Sequence, residues 1–147
     1  NPLLDGGVLG PFLQNSYTAR RTATRSTASA LRSARSLPGV GAQVLIVQPG
    51  TTPVDELIAG LDDGVFVTSL QGLHSGVNSV SGDFSVGADG LMIAGGSIGR
   101  PVREFTLAST IQRMLAQVLA VGDDLEWLPS GDASPTLAIG DVALSGS

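Results

Sequence analysis

The chain has 147 residues, 42% of them apolar and 14% charged, with a formal net charge of −5. That length suits one domain with a sizeable core, and the composition excludes a disordered chain. Cysteine is absent, which excludes disulfides, thiolate metal ligands and a cysteine nucleophile within these residues.

No apolar run approaches the ~18 residues of a membrane-spanning helix. Asn1-Pro2-Leu3-Leu4-Asp5 lacks the basic region and cleavage site of a secretory signal, and no initiator Met precedes it. A fragment of a longer, cytoplasmic protein is the expectation. All eight basic residues are arginine: residues 6–54 carry five and no acid, residues 55–147 carry three with twelve acids. Such a chain is a poor general nucleic-acid binder, its first third being the local exception.

In chain order, residues 1–38 read as irregular, with Arg20 to Arg35 an Arg/Ser/Thr/Ala run of weak helical pattern, and Leu37 to Gly41 is a turn. Gln43 to Gln48 encloses a continuous apolar run, read as a buried strand that Pro49-Gly50 ends. A helix follows, with Thr52 as its cap, Pro53 in its first position, and Asp55 and Glu56 near the positive end of its dipole. Leu57, Ile58 and Leu61 form its apolar face, and Asp62-Asp63-Gly64 stops it. Val65 to Leu70 is β-rich and runs into Gly72–Phe84, which holds the only histidine and three glycines within thirteen residues.

Beyond that loop, Asp83 to Val86 and Gly90 to Ala94 read as two strands, and Gly95-Gly96 as a hairpin turn. Ser97 to Leu107 is the next strand, with Pro101 restricted to an edge position. The second helix is expected over Ser109 to Ala120, capped by Ser109 or Thr110 and ended by Gly122. Leu107, Ile111, Met114, Leu115, Val118 and Leu119 fall on one face, read as core. Thr136 to Leu144 alternates as a closing strand. The fold class is α+β, mainly antiparallel sheet, barrel- or sandwich-like, with two short helices, in a single domain over residues 1–147.

Several segments resemble one family when taken in order. They are Asn15 to Arg20 with Ser26-Thr27, Pro38 to Gly41, Asp63 to Thr68, Gly76-Val77-Asn78-Ser79-Val80-Ser81-Gly82-Asp83-Phe84-Ser85, Pro101 to Ala108, Met114-Leu115 and Val121 to Asp124. The order and spacing resemble the C-terminal domain of the TldD/PmbA family, once labelled modulators of DNA gyrase. Gly76 to Asp83 is most similar to the metal-free PmbA (TldE) branch. The resemblance implies a two-subunit zinc-dependent peptidase that trims unfolded or leader peptides. Zinc is expected only in a TldD-like partner subunit, because the His-Glu-x-x-x-His helix and the late cysteine are missing here. The implied partners are that zinc-bearing subunit, the chain's own N-terminal domain and an unfolded peptide, with no membrane. Two departures stand out. Ser26-Thr27-Ala28-Ser29-Ala30 replaces a Ser-Thr-Gly-Asn-Ala type of segment, and Ala108-Ser109-Thr110 replaces Ala-Gly-Asn.

No residue is assigned a catalytic or metal role. His74, the only histidine, reads as a plain loop imidazole or as a substrate contact, since zinc needs at least three protein ligands. Asp83 reads as a turn-fixing carboxylate, or as a substrate-site residue that accepts a proton or orients a partner's ligand. Asn78 reads equally as a left-handed turn residue or as a partner to a peptide backbone. Trp127 reads as a packing anchor or an interface rim residue. The alternative function is a nucleic-acid or gyrase-associated binding module using Arg20 to Arg35. A solvated loop or subunit contact is favoured there, because Tyr17 is the only nearby stacking aromatic.

Overall fold

The computed structural model describes residues 1–146. The chain divides into two compact units: Asn1–Ile46 with Pro129–Asp132, and Val47–Leu128 with the stretch from Ala133 onward.

In the first unit, β1 (Leu4–Asp5) and β2 (Val8–Leu9) form a small antiparallel hairpin. Helix α1 (Ser16–Arg21) follows. β3 (Ala30–Leu31) and β4 (Gly39–Val40) make a second antiparallel pair. Residues 1–38 are therefore not irregular. The helix is set by its cap and not by an apolar period, which is why the composition conceals it. Asn15 Oδ1 accepts from the Tyr17 and Thr18 N–H groups at 2.9 and 2.8 Å. Thr18 Oγ1 accepts from the Asn15 N–H at 3.1 Å, closing a capping box around a buried Asn15.

The expected buried strand over Gln43–Gln48 is not present. Val44, Leu45, Ile46 and Val47 are 44–51% exposed, and none belongs to a ladder strand. A continuous apolar run specifies burial only if a neighbouring ladder receives it, and here the pairing goes no further than a bridge at Ile46 and one bond from the Val47 N–H to the Ala133 carbonyl at 3.0 Å.

The second unit begins with α2 (Val54–Ala59). Its N-cap is Pro53 and has no side-chain cap bond; Thr52 instead bridges Gly122. β5 (Asp63–Gln71), α3 (Leu73–Gly76), β6 (Asp83–Ala94), β7 (Ser97–Thr110) and α4 (Ile111–Ala116) come next. β8 (Val118–Val121), β9 (Glu126–Trp127), β10 (Ala133–Ser134), β11 (Leu137–Ile139) and β12 (Ala143–Ser145) complete it. One four-stranded antiparallel sheet runs in the order β12-β7-β6-β5, and β8–β11 and β9–β10 are separate ribbons. The class is α+β with mainly antiparallel sheet, and no sheet closes into a barrel among the described residues.

Alternation builds the core: Phe84, Val86 and Ala88 point one way from β6 and meet Phe105 and Leu107 of β7. The Gly95-Gly96 turn joins Ala94 to Ser97, with φ of 54° and 72°, the left-handed pair a two-residue hairpin needs. Pro101 lies beyond the stretch of β7 that β12 covers, so its missing N–H breaks no ladder on that side.

Several expectations change. Four short helices replace two. Asp83–Val86 and Gly90–Ala94 are one strand, because the ladder continues through Gly87 and Ala88 and is bulged, not turned, at Asp89. The helix expected over Ser109–Ala120 covers only Ile111–Ala116, with Thr110 as its cap; it ends at Gln117 and not at Gly122. Val118 to Val121 is β-rich and pairs with β11. The apolar stripe therefore splits: Leu107 is buried, whereas Leu115 and Leu119 are 60% and 62% exposed. The closing strand over Thr136–Leu144 is two strands serving different sheets. Trp127 is 60% exposed, so it does not anchor the core.

Candidate functional site

The Gly72–Phe84 segment folds as the single turn of α3 followed by a closed loop. Asn78 Oδ1 accepts from the Val80 and Ser81 N–H groups at 2.9 and 3.1 Å. The Gly82 N–H donates to the Asn78 carbonyl at 2.8 Å, and the Asn78 N–H donates to the Asp83 carbonyl at 2.8 Å. Ser81 Oγ donates to Asp83 Oδ2 at 2.6 Å. Gln112 and Ile111 of α4 donate to the Ser81 and Gly82 carbonyls. Asn78 and Asp83 thus share one bonded turn. His74 stands apart on α3, exposed and without a side-chain hydrogen bond among the described residues. Asp83 is exposed as well.

A second polar cluster was not legible in the sequence. Asp89 sits where β6 is bulged against both neighbours. Thr68 is extra between Val67 and Ser69 on β5, and on β7 two residues, Arg103 and Glu104, stand against the single Asp89. Asp89 Oδ1 accepts from the Glu104 N–H at 2.9 Å, while Oδ2 accepts from Ser69 Oγ at 3.3 Å and Gln71 Nε2 at 3.1 Å. Glu104 has φ of 55°, a left-handed conformation held by that bond. The Glu104 N–H holds the Asp89 carboxyl below the usual carboxylate range, with help from Ser69, Gln71 and Arg103 and against the opposing effect of burial. A polar pocket of about 480 Å³ opens there. The only hint in the sequence is Asp89-Gly90 within an otherwise apolar run, which also reads as a turn.

An apolar groove of about 750 Å³ also opens in this unit. Leu57, Ile58 and Leu61 from the α2 region, Val65 and Val67 of β5, and Met114 of α4 are among its walls. β5 is an edge strand: it pairs with β6 on one side and with no described strand on the other.

In the first unit, Arg21 stacks 5.8 Å over the Tyr17 ring and donates to its hydroxyl at 3.0 Å. Among the described residues, none of the five arginines from Arg20 to Arg35 forms an ion pair.

Residues 1–146 match the family model described as the PmbA/TldA metallopeptidase C-terminal domain. The chain belongs to the PmbA/TldD family. Curated relatives include a metalloprotease PmbA homolog of Haemophilus influenzae, 34% identical over 84% of this chain and 25% of that protein. Metalloprotease PmbA of Escherichia coli O157:H7 is 30% identical over the same shares. TldE from Thermococcus kodakarensis superposes with a TM-score of 0.86 at 26% identity, covering 98% of this chain and 33% of that one. A Thermotoga maritima protein described as a modulator of a DNA gyrase gives 0.84 at 29% identity, covering 97% and 32%. The chain thus spans about a quarter of the length of these curated relatives.

The family description raises the question of a metal. Among the described residues, no three His, Cys, Asp or Glu side chains come together as ligands.

Ala28 has φ of 59°. The Ser109 hydroxyl is buried without a partner among the described residues.

Proposed function

We propose that this domain supports a metallopeptidase assembly that processes unfolded or leader peptides, as the subunit that does not bind the metal. Its partners are a zinc-bearing TldD-like subunit and an N-terminal domain of its own chain. The observation that carries this reading is the open edge of β5 beside the apolar groove. An edge strand offers unpaired N–H and C=O groups to any extended backbone, and a neighbouring apolar surface rewards side chains without demanding one sequence. His74, Asn78 and Asp83 are the proposed contacts to that peptide at the Gly72–Phe84 end, where β5 runs into the loop.

The test is reconstitution. The isolated chain should bind a fluorescent unfolded peptide, take up no stoichiometric zinc and cleave nothing. With a zinc-bearing family subunit, cleavage should appear and be abolished by chelator. Peptidase activity of the 147-residue chain alone, abolished by chelator, overturns the reading. DNA binding that falls steeply with salt and disappears when Arg20, Arg21 and Arg25 become Ala would favour the nucleic-acid alternative.

A further inference from the structure

We infer that the groove beside β5 selects extended segments that are both apolar and positively charged. The inference rests on the peptide-holding reading above and names the class of peptide. Six consecutive residues, Asp63 to Thr68, line the groove. Residues on one face of a strand would appear alternately, so the groove reaches around the open edge of β5 as well as its face. A second continuous stretch, Thr136 to Val142, also lines the groove. A groove lined by two continuous stretches suits a single extended chain, and apolar Phe84, Ile93 and Leu107 line it too.

The charge of the surroundings decides which extended chain. Asp63 and Glu126 line the groove, and neither is in an ion pair among the described residues. The helix that gives Leu57 and Ile58 to the wall also carries Asp55 and Glu56, both exposed. Asp141, a third acid of the wall, is paired with Arg113. The whole unit holds eleven acids and three arginines, a net charge of −8. A lysine or arginine beside Asp63 or Glu126 would be drawn to an uncompensated carboxylate next to low-dielectric walls. A glutamate there would be repelled.

The experiment measures fluorescence anisotropy of the full chain with two labelled nine-residue peptides. Both carry Val or Leu at alternate positions, with Lys between them in one and Glu in the other. The Lys peptide should bind at least about tenfold tighter at low salt, with the gap closing as ionic strength rises. The double variant Asp63→Asn, Glu126→Gln should remove most of the gap. A third peptide, with Lys kept and Val or Leu replaced by Ser, should lose binding. Equal binding of the Lys and Glu peptides, or a gap that ignores both salt and the double variant, overturns the charge selection while leaving peptide holding intact. Undiminished binding of the Lys/Ser peptide places the attraction outside the groove and overturns it too. If neither apolar peptide binds, both readings fall. Self-association of the chain that displaces the Lys peptide would give the groove to a second copy and also overturn the inference.

Discussion

Ala28 holds a backbone conformation that its own side chain resists. A non-glycine residue at φ of 59° pays a steric cost that glycine does not. Ala28→Gly should therefore raise stability, by up to roughly 1 kcal/mol, read from chemical denaturation. Asn15→Ala removes two accepted N–H bonds and a donation to the Gly39 carbonyl. A loss of about 1–2 kcal/mol is expected in the same assay. Asp89 carries a pH signature. Its folded carboxyl titrates below the ordinary 3.8, so its contribution is complete above that value and is lost as pH falls through the lower folded one. Asp89→Asn should lower Tm at pH 7, and the two melting curves should converge at acid pH. Equal differences at both pH values would show that Asp89 acts as a neutral spacer. The Asn78–Asp83 turn was partly legible in advance, since short polar side chains beside glycine read as turn chemistry. The Asp89 cluster was not, because its partners come from β5 and β7, about 15–20 residues away on either side.

The β6–β7 hairpin is the organising element of the second unit. Its turn was readable from Gly95-Gly96, and its two glycines are not equivalent. A Cβ on Gly95 would meet nothing within 4 Å, whereas on Gly96 it would stand 2.7 Å from the Ala59 carbonyl oxygen. Gly95→Ala should cost about 1–2 kcal/mol for its left-handed backbone alone. Gly96→Ala should cost clearly more, because α2 must also shift. Urea denaturation of the two variants gives the comparison, and equal losses would refute the close approach. The helix over Ile111–Ala116 shows where periodicity misleads. Val118 and Leu119 continue a 3.6-residue stripe on paper, yet Val118 to Val121 is claimed by β11. A ladder partner eighteen residues away outweighs local propensity, and no window along the chain contains it.

Among the described residues, large buried side chains belong to only one of the two units. The first unit buries Asn15, Ala19 and Ser29, whereas Leu57, Phe84, Val86, Ile93, Phe105 and Leu107 are all in the second. Amides of residues 1–46 should therefore exchange with deuterium well before those of residues 83–110. Similar protection in both stretches would contradict that ranking. Charge is divided in the same way: five arginines and two acids in the first unit, against three arginines and eleven acids in the second. That division, the family, the α+β class and the hairpin turn were all written in local residue order, because charge, motif spacing and turn glycines act within a few residues. The tertiary structure alone decided that Val44 to Val47 stay exposed and that β5 is an open edge. It also decided that Asp89 gathers partners from both neighbouring strands and that an acid-rimmed apolar groove lies beside β5. Each of these depends on which strands become neighbours, a long-range pairing that no local pattern specifies.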